Sequence, residues 1–320
     1  MNKSFITFLK ITVPLGLGLF LIYYSYSKFT TQQLEEIATY FKKADYIVIS
    51  LSIIFGILSH VSRAYRWNFM LEPLGYKPKV LNNFMAVYVA YIMNLFIPRS
   101  GEVSRALVIN KYEGVPFDKA FGTIISERVI DVVFLFGFTG IAFVLQFEKL
   151  SQYLIGIFPM NTIYKLSGLL LTLTILLLLL LKFSKASVIK KLLHFFSGLK
   201  EGIFSVLKMK KKGLYIFHSF LIWGLYLLSF YIATFALNET TNIALSTLMI
   251  TFVIGSFSFA FTNSGFGTYP FFVASILAVF SIPETVGTAF GWIVWTTSIA
   301  SIVLFGGLSF LILPLYNNKK

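Results

Sequence analysis

Long apolar runs alternate with short polar stretches along almost the whole chain. A run of about 20 apolar residues has the length of a helix that crosses a bilayer. The runs predict membrane-inserted helices over residues 5–26, 45–62, 84–98, 119–147, 162–181, 214–237, 243–262 and 286–315. The pattern therefore predicts an all-α fold, a polytopic integral membrane helix bundle with about seven to nine apolar segments.

Two apolar regions are interrupted rather than continuous. Residues 84–98 are short for a span and stop at Pro98, and residues 263–283 are glycine-rich and bounded by prolines. Non-helical backbone at membrane depth is tolerated only against protein or a water-filled cavity. We therefore predict one or two re-entrant or broken segments. Two such segments in the two halves of a membrane protein indicate a transport site where they meet.

The N-terminal region has two alternative interpretations. Its first apolar run could be a signal peptide or a retained anchor, and we favour the anchor because no small-residue cleavage pattern follows it. Residues 28–43 place Leu34, Ile37, Ala38 and Phe41 on one helical face. This pattern predicts an interfacial amphipathic helix.

The composition narrows the class of protein. The chain is 57% hydrophobic and 12% charged, with a mean hydropathy of +0.80, which is far from that of soluble domains. The formal net charge is +14, but the basic residues lie in short loops, so we expect membrane lipids as partners and no nucleic acid. The chain has no cysteine, and its three histidines show no ligand spacing. We expect one membrane domain over residues 1–320, no metal and no cofactor.

The distribution of lysines predicts the topology. Residues 182–213 contain nine lysines and one glutamate, which is typical of a cytoplasmic loop. Arg63 and Arg66 follow the second apolar run, which is typical of the cationic border of a span. If residues 84–98 are re-entrant, Arg63, Arg66 and Lys77 also lie on the cytoplasmic side. If that segment crossed the membrane, these cations would lie outside, against the positive-inside rule, by which Lys and Arg stay on the cytoplasmic side. We predict a multi-pass protein of a bacterial-type inner membrane, with a cytoplasmic N-terminus.

The first candidate site follows residues 84–98. Pro98 ends the apolar run, and Ser100 is a suitable N-cap for a helix that starts near Gly101. A helix N-terminus carries free N–H groups and partial positive charge. Together with Arg99 and Arg105, it predicts a site for a lipid phosphate, because guanidinium groups can bind two phosphate oxygens at once.

Glu102 lies in the first turn of the same helix and three residues before Arg105, so the two can form an ion pair on one face. One interpretation is a helix-start ion pair with no further role. The other is that Glu102 receives a headgroup cation or a proton. Replacement by glutamine distinguishes them, because transport persists under the first and is lost under the second. We favour the second, because Arg99 and Arg105 together carry more charge than a local pair with Glu102 needs.

A second group of charges lies inside the predicted span 119–147. Glu127 and Asp131 are four residues apart and Arg128 lies between them, so all three fall on adjoining strips of one helix. They could form a structural cluster that braces the bundle. Alternatively, Arg128 binds phosphate while the two acids hold it in position.

The third candidate element lies in the interrupted region 263–283. Gly265 and Gly267 allow positive φ and close backbone approach, either for helix packing or for a substrate path. We predict that the path is lined by Asn94, Pro98, Ser100, Gly101, Asn263, Gly265 and Gly267. We assign no residue a catalytic role, since no nucleophile triad, zinc motif or P-loop is visible.

The order of these elements resembles the lysylphosphatidylglycerol synthase transmembrane region family, a flippase-like family also called uncharacterised protein family 0104. The shared motifs are Asn-x3-Pro-x2-Gly-Glu from Asn94, Glu-Arg-x2-Asp from Glu127, and a late Gly-Gly-x-Gly element. In this chain, Ser264 replaces the first glycine of the late element. The resemblance covers nearly the whole chain.

The resemblance implies an integral membrane protein that moves polar lipids, such as lysyl-phosphatidylglycerol made by a separate soluble synthase domain. We expect no aminoacyl-lipid synthesis by these 320 residues, because they leave no room for that domain. Our first hypothesis is therefore a lipid flippase without ATP hydrolysis, with a separate lipid-synthesising enzyme as a candidate partner. The alternatives are a membrane enzyme of glycolipid, polyprenyl-phosphate or phospholipid metabolism and an accessory scaffold. An enzyme would need an acid–base pair, for which Glu102 and Asp131 are the candidates.

Overall fold

The computed structural model describes residues 3–149, scattered positions between 151 and 175, and residues 209–318. The described part is helical and consists mainly of ten helices. They are α1 (Lys3–Ser27), α2 (Thr31–Lys43), α3 (Tyr46–Leu71), α4 (Val80–Phe96), α5 (Gly101–Glu113), α6 (Phe117–Leu145), α7 (Lys212–Ala233), α8 (Leu245–Phe261), α9 (Thr268–Val279) and α10 (Glu284–Asn317). Four of them, α3, α6, α7 and α10, are long and apolar enough to cross a membrane. The fold is thus the all-α membrane bundle that the hydrophobic pattern predicts.

Three predicted segments need comment. The second span was predicted over residues 45–62, but α3 continues to Leu71, so its basic residues lie within the helix rather than at its end. Residues 243–262 were predicted as a single span; in the structure α8 has 17 residues, about 25 Å, and packs against α9 as one arm of a hairpin. The predicted span 162–181 and most of the loop 182–213 lie outside the described residues.

Helices α3 and α7 form a closely packed antiparallel pair. Ser52 and Ser229 exchange hydrogen bonds between each side-chain hydroxyl and the other residue's carbonyl, both at 2.7 Å. Ser62 bonds to the His218 ring at 2.8 Å nearer the other end. Small polar residues allow two helices to approach closely inside a membrane and stabilise the contact by hydrogen bonds.

Helices α4 and α5 form a helical hairpin, which we call hairpin 1. Its tip is the turn over residues 97–100, where Arg99 adopts a left-handed backbone conformation with φ of 63°. The arms can meet because a Cβ atom at Gly101 would overlap the Ala90 carbonyl oxygen. With arms of 17 and 13 residues, hairpin 1 enters and leaves on one side.

Helices α8 and α9 form a second hairpin, hairpin 2, whose tip covers residues 262–267. Ser264, Gly265 and Gly267 all have positive φ at this tip. The tip packs closely on α1, since a Cβ atom at Gly267 would overlap the backbone of Gly18. The interrupted region 263–283 is therefore the tip and return arm of a hairpin.

The long helix α10 shows how the two hairpins are arranged. Its first half packs on hairpin 2, where Gly291 contacts Pro270 and the Trp295 indole donates to the Ser264 carbonyl at 2.8 Å. Its last residue, Asn317, exchanges hydrogen bonds of 3.0 Å with Asn82 at the base of hairpin 1. The hairpins therefore enter from opposite sides, and their tips lie near the middle of α10.

The two sides of the bundle differ in charge. The side that carries the base of hairpin 1 has seven lysines and three acids in the described connections and helix ends; they are Lys77, Lys79, Lys111, Lys119, Lys210, Lys211, Lys212, Glu72, Glu113 and Asp118. The opposite side has four lysines and six acids, namely Lys28, Lys42, Lys43, Lys149, Glu35, Glu36, Asp45, Glu148, Glu239 and Glu284. We call these the basic side and the acidic side. The positive-inside rule favours a cytoplasmic basic side.

This charge difference gives a topology prediction. Because the chain has no native cysteine, single cysteines at Lys77 and Lys210 can be tested for labelling by a membrane-impermeant maleimide in intact cells. We expect both positions to be protected and to react only after permeabilisation, whereas a cysteine at Glu239 should react from outside. Labelling of the cysteine that replaces Lys210 from outside would contradict the orientation. Labelling from outside only of the cysteine that replaces Lys77 would contradict the re-entrant path of hairpin 1.

Candidate functional site

A buried cluster of five charged side chains occupies the interior of the bundle. Glu127 and Asp131 extend from α6, Arg63 and Arg66 from α3, and Arg105 from α5. Each of these residues is at most 8% exposed. Charges at this depth are stable only when they are paired.

Glu127 is the centre of the cluster. Its two carboxylate oxygens accept from the two terminal nitrogens of Arg105 at 3.1 Å each, a fork-shaped pairing. One oxygen also accepts from Arg63 at 2.6 Å and lies 3.4 Å from Arg66. The Arg105 guanidinium in turn stacks on the Trp67 ring at 3.9 Å, which holds its plane in place.

Asp131 links the α3 arginines a second time. It accepts from Arg63 at 2.6 Å and from Arg66 at 3.0 Å. Arg66 also donates to the Ser219 hydroxyl at 2.8 Å, which joins α7 to the network. The α6 spacing of four residues thus brings two carboxylates onto the same two guanidinium groups.

The sequence interpretation of Arg63 and Arg66 was incomplete. The sequence predicts a cationic border of a span at both residues, whereas the structure places them inside the bundle with carboxylate partners. A usable signal was present, because His60, Arg63 and Arg66 recur every three residues and fall near one helical face. Two acids in a neighbouring span also require counter-charges.

Arg128 is the cation of this region that is not enclosed. Its side chain is 35% exposed, and it lies 3.4 Å from Glu102 and 3.4 Å from Asp131. Glu102, itself 22% exposed, is therefore paired with Arg128 and not with Arg105 as the spacing predicted. Arg105 turns away because Glu127 offers it two buried oxygens.

The tip of hairpin 1 lies directly before Glu102. The predicted N-cap Ser100 makes no cap hydrogen bond, because its own backbone is helical and its hydroxyl donates back to Ile97 at 2.8 Å. Asn94 takes over that role and accepts from the Gly101 N–H at 2.8 Å. Pro98 and Arg99 form the turn, and Arg99 is exposed without an ion pair to any described residue.

The two hairpin tips are in direct contact. Asn263 at the tip of hairpin 2 donates to the Leu95 carbonyl at the end of α4 at 3.2 Å. Asn263 is 9% exposed, and its amide oxygen has no hydrogen-bond partner among the described residues. Gly265 packs against Trp295, and Gly267 contacts α1. The predicted path residues therefore cluster at one junction, although the structure by itself assigns them no activity.

The charges of this region do not cancel. Arg63, Arg66, Arg105 and Arg128 face Glu102, Glu127 and Asp131, which leaves one surplus positive charge. Arg99 at the adjacent tip adds another. A surplus positive charge inside a membrane favours an anionic ligand.

A cavity of about 470 Å³ opens on the basic side, between the end of α3 and the start of α6. Its wall includes Lys119, Gly122 and Thr123, and Thr123 accepts the indole hydrogen bond of Trp67 at 2.8 Å. Thr123 thus links the cavity wall to the buried Trp67 ring on which Arg105 stacks. Among the described residues, no group of three histidine, aspartate or glutamate side chains is arranged to hold a metal.

Comparison with known proteins identifies the family. The family described as the lysylphosphatidylglycerol synthase TM region matches residues 10–313, nearly the whole chain. The chain belongs to this family. The three motifs that carry the family resemblance lie at the tip of hairpin 1, in the buried charge cluster and at the tip of hairpin 2.

Two relatives are informative. The UPF0104 membrane protein MJ1595 of Methanocaldococcus jannaschii is 26% identical over 305 residues, which cover 86% of this chain and 87% of the relative. The glycosyltransferase AglD of Haloferax volcanii is 26% identical over 111 residues, which cover 34% of this chain and only 18% of that protein. No solved structure matches the chain. The comparisons therefore support a multi-pass membrane protein of this family and name no substrate for it.

Proposed function

We propose that the protein moves a phospholipid, or another lipid with a phosphate in its headgroup, across the membrane without hydrolysing ATP. The observation that supports this proposal is the partly exposed Arg128, which belongs to a group of charges with one surplus positive charge. A lipid phosphate would balance that charge. A guanidinium group can bind two phosphate oxygens, which suits Arg128 for this role.

The arrangement of the hairpins supports a path for the headgroup. They enter from opposite sides, and their tips meet through Asn263 and Leu95, close in sequence to Glu102. Helices α5 and α9 begin at these tips, and their N-termini favour anions. Broken helices that meet near the middle of the membrane are a recurring way to build a transport site.

The proposed transport does not use ATP bound by this chain, in which no P-loop motif is visible. The lipid gradient between the leaflets or a proton gradient would drive transport. A membrane enzyme is the second candidate, and the partial similarity to a glycosyltransferase favours testing it. The ion pairs count against that alternative, because Glu102 and Asp131, its candidate acid and base, are both engaged by arginines.

Reconstitution of the purified protein into vesicles tests the proposal. Fluorescent phosphatidylglycerol in the outer leaflet is bleached by dithionite, so faster exchange between leaflets reports transport. We expect exchange well above that of protein-free vesicles. Formation of a new lipid product, measured by mass spectrometry, would instead support an enzyme. If the protein shows neither exchange nor product formation, the accessory scaffold remains as the explanation.

The ion pair between Glu102 and Arg128 reverses the expectation made from the sequence, because Glu102 then competes with the proposed phosphate for Arg128. We expect Glu102→Gln to keep transport and to lower the half-saturating lipid concentration by up to about fivefold, the value of a partly exposed ion pair. The variant should fold as well as the wild type, which a thermal melt in detergent checks.

Glu35→Gln, an exposed acid on α2, is the matched control and should change neither quantity. Complete loss of transport by a well-folded Glu102→Gln protein would contradict this role. That result would mean that Glu102 receives a headgroup cation or a proton.

A further inference from the structure

A group of hydroxyl and imidazole side chains lies beside the charge cluster and is not explained by it. His60 of α3 lies between Tyr91 of α4 and Tyr226 of α7. The Nδ1 atom of His60 is 3.3 Å from the Tyr226 hydroxyl and 3.4 Å from the Tyr91 hydroxyl. We call these three residues the histidine–tyrosine triad.

The histidine–tyrosine triad contacts the charge cluster. The Tyr226 hydroxyl also lies 3.5 Å from Arg63. Arg63 and Arg128 share one oxygen of Asp131, at 2.6 Å and 3.4 Å, so the two guanidinium groups are close neighbours. A lipid whose phosphate binds Arg128 would therefore place the headgroup atoms attached to that phosphate near the histidine–tyrosine triad.

These three side chains are also accessible and under-used. His60, Tyr91 and Tyr226 are each partly exposed, although His60 lies 14 residues into the 26-residue helix α3. Polar groups that are open at this depth indicate a polar cavity rather than lipid contact. The hydrogen bonds to described residues use only Nδ1 of His60, so its Nε2 atom is available, and the Tyr91 oxygen keeps capacity to accept.

The chemistry of the group selects its ligand. Ring nitrogens and phenolic hydroxyls can both donate and accept, which suits alcohol groups. A cationic headgroup would be repelled, because the ring lies within electrostatic reach of both Arg63 and Arg128. An uncharged headgroup with hydroxyls avoids this repulsion and can form these hydrogen bonds.

We propose that His60, Tyr91 and Tyr226 bind the uncharged, hydroxyl-bearing part of a lipid headgroup whose phosphate lies on Arg128. The substrate class is then an anionic lipid with a polyol headgroup. This inference rests on the proposed transport function and adds the headgroup chemistry to it.

Binding of short-chain lipids to the purified full-length protein tests the inference. Dihexanoyl phosphatidylglycerol and phosphatidylinositol carry headgroup hydroxyls, phosphatidylmethanol carries the same single negative charge without them, and phosphatidylcholine carries a cation. We expect the two hydroxylated lipids to bind about tenfold more tightly than phosphatidylmethanol, as one or two hydrogen bonds allow. Phosphatidylcholine should bind most weakly.

Tyr226→Phe and Tyr91→Phe remove one hydroxyl each and preserve the ring. We expect each to reduce the preference for phosphatidylglycerol severalfold while the affinity for phosphatidylmethanol stays within about twofold. A purely structural role would weaken both lipids equally. Tyr231→Phe, on the same helix as Tyr226 but exposed, is the control and should change neither affinity.

The outcomes separate the two proposals. If the wild type transports phosphatidylglycerol and phosphatidylmethanol but binds them equally, the headgroup inference is wrong and the transport proposal stands. If the wild type transports no anionic lipid, the transport proposal is wrong and the inference falls with it. An unchanged preference in both phenylalanine variants would also overturn the inference.

Discussion

Replacement of Glu127 by glutamine is expected to prevent folding or to lower the midpoint of thermal unfolding strongly. Glu127 is fully buried, and three arginines lie within 3.4 Å of its carboxylate. The amide would leave these cations facing Asp131 alone. Breaking a buried ion pair from one side costs about 3–5 kcal/mol, a large part of the stability of a typical protein.

Two variants make this measurement specific. Glu239→Gln, the same change at an exposed acid, should leave the thermal midpoint unchanged. Glu127→Gln combined with Arg105→Gln removes the fork-shaped pair as a unit, and we expect it to be more stable than the single variant. A Glu127→Gln protein as stable as the wild type would mean that the cluster does not brace the bundle.

The hydrophobic pattern was sufficient for the fold class and for the breaks in the helices. Pro98 and the glycines near residue 265 break apolar runs that are too short to cross, and the structure has hairpin tips at both places. The first arm of hairpin 2 was missed because hydropathy alone does not separate a 17-residue arm from a short span. Only the return arm, packed on α10, makes that distinction.

The charge cluster was only half predictable. The α6 spacing brought Glu127 and Asp131 together, but their partners on α3, Arg63 and Arg66, lie more than 60 residues away in sequence. A basic residue near the end of an apolar run usually marks a membrane border, so Arg63 and Arg66 were assigned to one. The predicted pairing of Glu102 with Arg105 was wrong for a related reason. The buried Glu127 carboxylate, on another helix, competes better for Arg105 than the partly exposed Glu102 does.

The largest expected effect on transport is that of Arg128→Ala. We expect the rate of lipid exchange in vesicles to fall by about tenfold to a hundredfold, the value of a charged hydrogen bond to phosphate. The thermal midpoint should change little, because Arg128 is partly exposed and its two ion pairs are long, at 3.4 Å. Arg128→Lys should recover only part of the rate, since an ammonium group cannot bind two oxygens in one plane.

Lys43→Ala, an exposed cation at the end of α2, is the control and should leave the rate nearly unchanged. The competing interpretation is that Arg128 only balances the acids around it. In that case Arg128→Ala would lose expression, and the added change Asp131→Asn would restore both expression and transport by removing the unpaired charge. If Arg128→Ala is instead well folded and inactive, and Asp131→Asn does not restore it, the guanidinium acts on the lipid itself. The contrast with Glu127→Gln then separates the two halves of the charged region, one that stabilises the bundle and one that remains accessible to an anion.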